Sequence, residues 1–144
     1  IEIDAEAAYV ALQDFSAEEM EFSAGAGSIE ASGLQTKKLI LSVEAGAITL
    51  TDSEAAELEA DAEAGAIHFS GSITDMVDAD AELGSIMLKL SQSEDDFDYE
   101  IENDLGNVEF DGVSVGNSVI HNKASGKMKL DSSMGNIEIY FEQD

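Results

Sequence analysis

A glycine returns along this chain at a fixed interval. Gly27, Gly46, Gly65 and Gly84 are nineteen residues apart, and Gly106 and Gly135 continue the series at longer steps of twenty-two and twenty-nine. Two residues after each glycine stand Ile29, Ile48, Ile67, Ile86, Val108 and Ile137. Four residues after stand Ala31, Leu50, Phe69, Leu88, Phe110 and Ile139. A glycine followed by apolar residues at a spacing of two reads as a corner opening a strand. Gly33, Asp52, Gly71 and Gly112 are turn formers that close it, while Leu90 and Phe141 break that column. A second alternating stretch precedes each glycine. Phe22, Leu41, Ala60, Ala79, Ile101 and Leu130 lie five residues before it, and Met20, Leu39, Leu58, Val77, Tyr99 and Met128 lie seven before. Each unit is therefore strand, corner, strand, turn and a looser return such as residues 53–56 or 72–75.

An apolar period of two, with β-branched residues recurring in the same slots, predicts strands. Residues 52–63 are rich in Ala and Glu, but they align column by column with neighbouring units, which overrides their helix propensity. One such unit cannot bury its apolar side; a stack of them can. The expected fold is all-β, a repeat-built β-solenoid (single-stranded and β-helix-like) with about nineteen residues per coil. Equivalent residues of successive coils should lie about 4.8 Å apart. Either a positive φ or tight corner packing would account for the glycine. An antiparallel β-sandwich is the structural alternative.

The 144 residues favour one domain. Residues 1–17 are its opening strand and cap, 18–112 five repeats, and 113–144 an irregular segment and closing repeat. Tyr9, Val10, Leu12 and Phe15 could cover the first coil. The chain starts at Ile1 and reads as a segment of a longer protein.

Charge narrows the partners. There are 32 acidic residues, six lysines and no arginine, for a net charge of −26. Nucleic acid needs basic surface, so it is excluded as a partner, and so is direct binding to anionic membrane. Cations and basic proteins or peptides are favoured, although a solvated acidic exterior explains the charge equally well. Without cysteine there are no disulfides or thiolate metal sites.

The acids form a pattern. The outward slots of three consecutive units hold Glu59, Asp61 and Glu63, then Asp78, Asp80 and Glu82, then Glu100, Glu102 and Asp104. Coils stacked in register would gather nine carboxylates on one face. Such a face could bind Ca²⁺ weakly or attract a cationic peptide, since flexible carboxylates suit both. No EF-hand loop or glycine–aspartate nonapeptide is present. Glu94, Asp95, Asp96 and Asp98 form a second cluster, either a cation-cupping loop or a solvated one. His68 points outward, and no ligand spacing ties it to His121. There is no G-x-S-x-G elbow, Rossmann or P-loop pattern. Carboxylate pairs could serve a carbohydrate-active enzyme, but acids are abundant enough to pair by chance. No catalytic residue and no cofactor beyond weak Ca²⁺ is expected.

The segments EAGAITL, EAGAIHF, ELGSIML and SSMGNIEIYF resemble a bacterial adhesin-like family of unknown function, similar to the head-GIN group of predicted surface adhesins. The closing GKMKLDSSMGNIEI is similar to that family's last repeat. The resemblance implies a non-catalytic bacterial module, an adhesin or scaffold that meets protein or glycan ligands. It also implies an extracellular or cell-surface location, with membrane anchoring through a region outside this chain. The family often carries Asp after the glycine, where this chain has Ser28, Ala47, Ala66, Ser85, Asn107 and Asn136. An envelope sensor capturing cationic peptides or Ca²⁺ on the acidic face is the alternative function.

Overall fold

The apolar columns become buried stripes because each is extended backbone with alternate side chains turned inward. A computed structural model describes residues 2–91, 97–115, 118–120 and 126–141. Its strands are β1 (Glu2–Ala5), β2 (Tyr9–Gln13), β3 (Ser16–Ala24), β4 (Ser28–Ser32), β5 (Gln35–Val43), β6 (Ala47–Ala62) and β7 (Ala66–Ala81). They continue with β8 (Ser85–Leu90), β9 (Phe97–Asn103), β10 (Asn107–Phe110), β11 (Val113–Val115), β12 (Ser118–Ile120), β13 (Gly126–Ser132) and β14 (Asn136–Phe141).

Successive coils pair in parallel and in register, which makes the fold a β-solenoid and disposes of the sandwich. Ile29 pairs with Ile48, Ile48 with Ile67, and Ile67 with Ile86. The stretches expected to be looser returns are strand as well. β6 and β7 run through them, pairing Glu54 with Ser72 and Ala55 with Ile73, with irregularities between Leu50 and Ser53 and between Ala55 and Glu57. The coils through β3, β5, β6 and β7 are thus paired along these returns as well.

The order of the coils departs from chain order. Ile86 is followed in the stack by Ile137, and Ile137 by Val108. On the preceding side, β13 lies between β7 and β9, pairing Leu130 with both Ala79 and Ile101. The closing repeat is therefore an inner coil, inserted between the fourth and fifth glycine units. The far end is closed by the irregular segment instead. β11 runs antiparallel along β10, and β12 antiparallel along β9. Beneath this cap an aromatic cluster fills the last coils, with Tyr99 and Phe110 ring centroids 4.9 Å apart and Phe110 and Phe141 5.8 Å apart.

The recurring glycines are required by close approach. Positive φ occurs elsewhere, at Gly33, Gly71 and Gly112 and at Asp14, Asp52 and Asp111. A Cβ on Gly46, Gly65 or Gly84 would overlap the carbonyl oxygen of the glycine one coil before it. Of the two explanations open at the sequence level, packing is the one the fold uses.

Candidate functional site

Half-buried and exposed acids share the outward side of β6, β7, β13 and β9, because the intervening Leu58, Ala60, Val77, Ala79, Met128, Leu130, Tyr99 and Ile101 all turn into the core. Glu59 pairs with Asp78 and Asp61 with Asp80. The main-chain N–H of Leu83 donates to the Glu63 carbonyl, which sets Glu63 beside Glu82. Six of the nine expected carboxylates are thus neighbours.

The other three are displaced by one coil, which corrects the expected uninterrupted grid. Lys129 stands between Asp78 and Glu100, and Asp131 between Asp80 and Glu102. Ser133 separates Glu82 from Asp104, its carbonyl accepting from the Leu105 N–H. Lys127 takes a place between Met76 and Asp98. The physical reason is the inserted closing coil, whose lysines separate two acidic strands. One row stays wholly acidic: Asp61, Asp80, Asp131 and Glu102.

Asp80 lies within that row. Its carboxyl is raised above the ordinary 3.8, first by desolvation and then by the charges of Asp131, Asp61, Glu82 and Asp78. An acid whose folded pKa lies above its unfolded value binds its proton more tightly in the fold. Its ionisation therefore subtracts stability at neutral pH, and lowering pH from above its raised value toward 3.8 restores that loss. Asp80→Asn should therefore raise the melting temperature at neutral pH. The gain should shrink on acidification or in high salt, as thermal melts across pH and ionic strength would show.

A second feature runs beside the acids. The residue immediately before each glycine forms a row in the spatial order Ala26, Ala45, Ala64, Leu83, Met134 and Leu105. Its spacing is set by main-chain bonds from Ala45 to Gly25, Ala64 to Glu44, Leu83 to Glu63, Met134 to Glu82 and Leu105 to Ser133. Leu83 is 62%, Met134 56% and Leu105 82% exposed. Next to the row is an open depression of about 400 Å³, lined by Ala64, Ala66, Leu83, Ser85, Met134 and Asn136 over Gly46, Gly65, Gly84 and Gly135. The sequence carries this signal in the slot before each glycine, but that slot begins with three alanines, which do not mark a column of large apolar residues.

The profile of the Toastrack DUF4097 family matches residues 1–140. The chain belongs to that family. No curated protein and no solved structure matches it. Toastrack DUF4097 is a family of unknown function, so membership brings the solenoid without a ligand.

Among the described residues of this Toastrack chain, the acidic rows do not converge as an ordered Ca²⁺ site requires. Among the described residues, no three Asp, Glu or His side chains are placed to hold a metal ion. Carboxylates in a straight row point side by side, whereas Ca²⁺ needs six or more oxygens converging around it. His68 is exposed on β7 between Thr49 and Met87. Glu94, Asp95, Asp96 and His121 lie outside the described residues; Asp98 is half-buried beside Lys127.

Proposed function

We propose that this Toastrack domain is a non-catalytic binding module of the bacterial cell surface, serving as an adhesin or scaffold. The observation that carries the reading is the form of the outward face: in-register rows of side chains run along a stack of parallel coils. Such a face suits an extended partner. Glycosidase carboxylates oppose each other across a bond to be cut, whereas the acids of these rows stand side by side on an outward surface. Membrane anchoring would come from a region outside this chain.

An array of matrix proteins, glycans and basic peptides tests the proposal with the purified domain. Saturable binding to one class is expected, and the absence of binding across the array would overturn it. The acidic row of Asp61, Asp80, Asp131 and Glu102 favours a second reading, an envelope sensor that captures cationic peptides. Capture of that kind should weaken steeply as salt shortens the Debye length; salt-insensitive binding would count against it.

A further inference from the structure

We infer that the corner row of Leu83, Met134 and Leu105 is a docking ridge for a basic amphipathic segment of a partner protein. The inference deepens the binding-module reading and rests on it. Three large apolar side chains stand exposed in consecutive coils, about 4.8 Å apart. They form one line, which distinguishes them from scattered surface hydrophobics. Beside Leu83 and Met134 the depression is floored by the backbone of Gly46, Gly65, Gly84 and Gly135.

Charge selects the occupant. On one flank, Glu82 precedes Leu83 and Asp104 precedes Leu105, both exposed carboxylates, with Ser133 between them before Met134; the exposed Glu63 carries the acidic flank on to the neighbouring coil. The other flank holds the neutral Ser85, Asn136 and Asn107. A segment with apolar side chains in the depression and Lys or Arg on one edge would satisfy both flanks. A second copy of this chain would bring the same acids and a net charge of −26, so like charges would meet. An anionic membrane would be repelled by the same carboxylates.

The test compares two short peptides of equal charge, one alternating leucine with lysine and one alternating serine with lysine. At physiological ionic strength the full chain should bind the leucine peptide about tenfold more tightly than the serine peptide. A variant with Leu83→Ser, Met134→Ser and Leu105→Ser should bind both at the serine-peptide level, with its melting temperature little changed because all three side chains are exposed. Glu63→Gln with Glu82→Gln should weaken both peptides. Equal binding of the two peptides by the native chain would overturn the ridge and leave charge capture standing. Undiminished leucine-peptide binding by the serine variant would overturn it as well. So would capture of the native chain, but not the serine variant, by phosphatidylcholine vesicles, which would make the ridge a lipid contact. If neither peptide binds, the ridge is overturned, and the protein and glycan array decides the binding-module reading separately.

Discussion

Deleting residues 126–144 should abolish cooperative folding, a much larger effect than the loss of one terminal coil. β13 and β14 fill the slot between β7–β8 and β9–β10. They bring in Met128, Leu130, Ile137, Ile139 and Phe141, all buried. Full burial of such a side chain stabilises by about 1.5–3 kcal/mol, so their loss removes on the order of 10 kcal/mol. That is comparable with the whole net stability of an ordinary domain, roughly 5–15 kcal/mol. The deletion also leaves β9 and β10 with no parallel neighbour. Removing residues 1–13 instead takes away a peripheral coil, and a lower but still cooperative melt is expected. The coil order can be read directly, because the chain has no cysteine of its own. Ser85 and Asn136 are adjacent in register, while Asn107 lies one strand further on. The first spacing is about 4.8 Å and the second about 9.6 Å, against a disulfide Cα reach of about 4.4–6.8 Å. Ser85→Cys with Asn136→Cys should therefore oxidise to a crosslink, and Ser85→Cys with Asn107→Cys should not. A crosslink in the second pair, or a cooperative melt of the 126–144 deletion, would contradict the inserted coil.

The contrast between what was legible in the sequence and what was not has a physical basis. The columns of Ile29, Ile48, Ile67 and Ile86 could be read because one geometry is imposed four times at constant spacing, so each residue identity is corroborated by its neighbours. Coil order could not be read this way. Ile137 matches Ile86 and Val108 equally well, and a repeat's apolar pattern does not state which neighbour it stacks on. The clue lay in charge: Lys127 and Lys129 belong to the one closing strand, and they reduce repulsion most between two acidic strands. The acid face was legible as composition but not as arrangement, since its arrangement depends on that order. The ridge was missed for a related reason. Ala26, Ala45 and Ala64 occupy its first positions, and only the spatial order places Met134 between Leu83 and Leu105.

Gly84→Ala should be among the most damaging single changes available in this chain, at about 3 kcal/mol or about 10 °C in melting temperature. The added methyl would overlap the carbonyl oxygen of Gly65, which is backbone and cannot rotate away. That oxygen also accepts the Ser85 N–H at 3.0 Å, so moving it stretches a main-chain bond between coils. On the other side, the Gly84 carbonyl accepts from Asn136 at 3.1 Å, which carries the disturbance into the inserted coil. Two other glycines separate this cause from its rivals. At Gly25 the nearest atom to an added Cβ is the Glu6 Cα at 3.4 Å, an ordinary contact. Gly25→Ala should therefore be neutral, or stabilising by about 0.5 kcal/mol through the less flexible unfolded chain. Gly112 has φ of 83° and open space around it, so Gly112→Ala should cost about 1 kcal/mol from backbone conformation alone. Thermal melts of the three variants should rank Gly84→Ala far below Gly112→Ala, and Gly112→Ala below Gly25→Ala. Equal melting temperatures for Gly84→Ala and Gly25→Ala would mean that neighbouring coils can move apart at the corner without loss, and that close approach is not what holds glycine there.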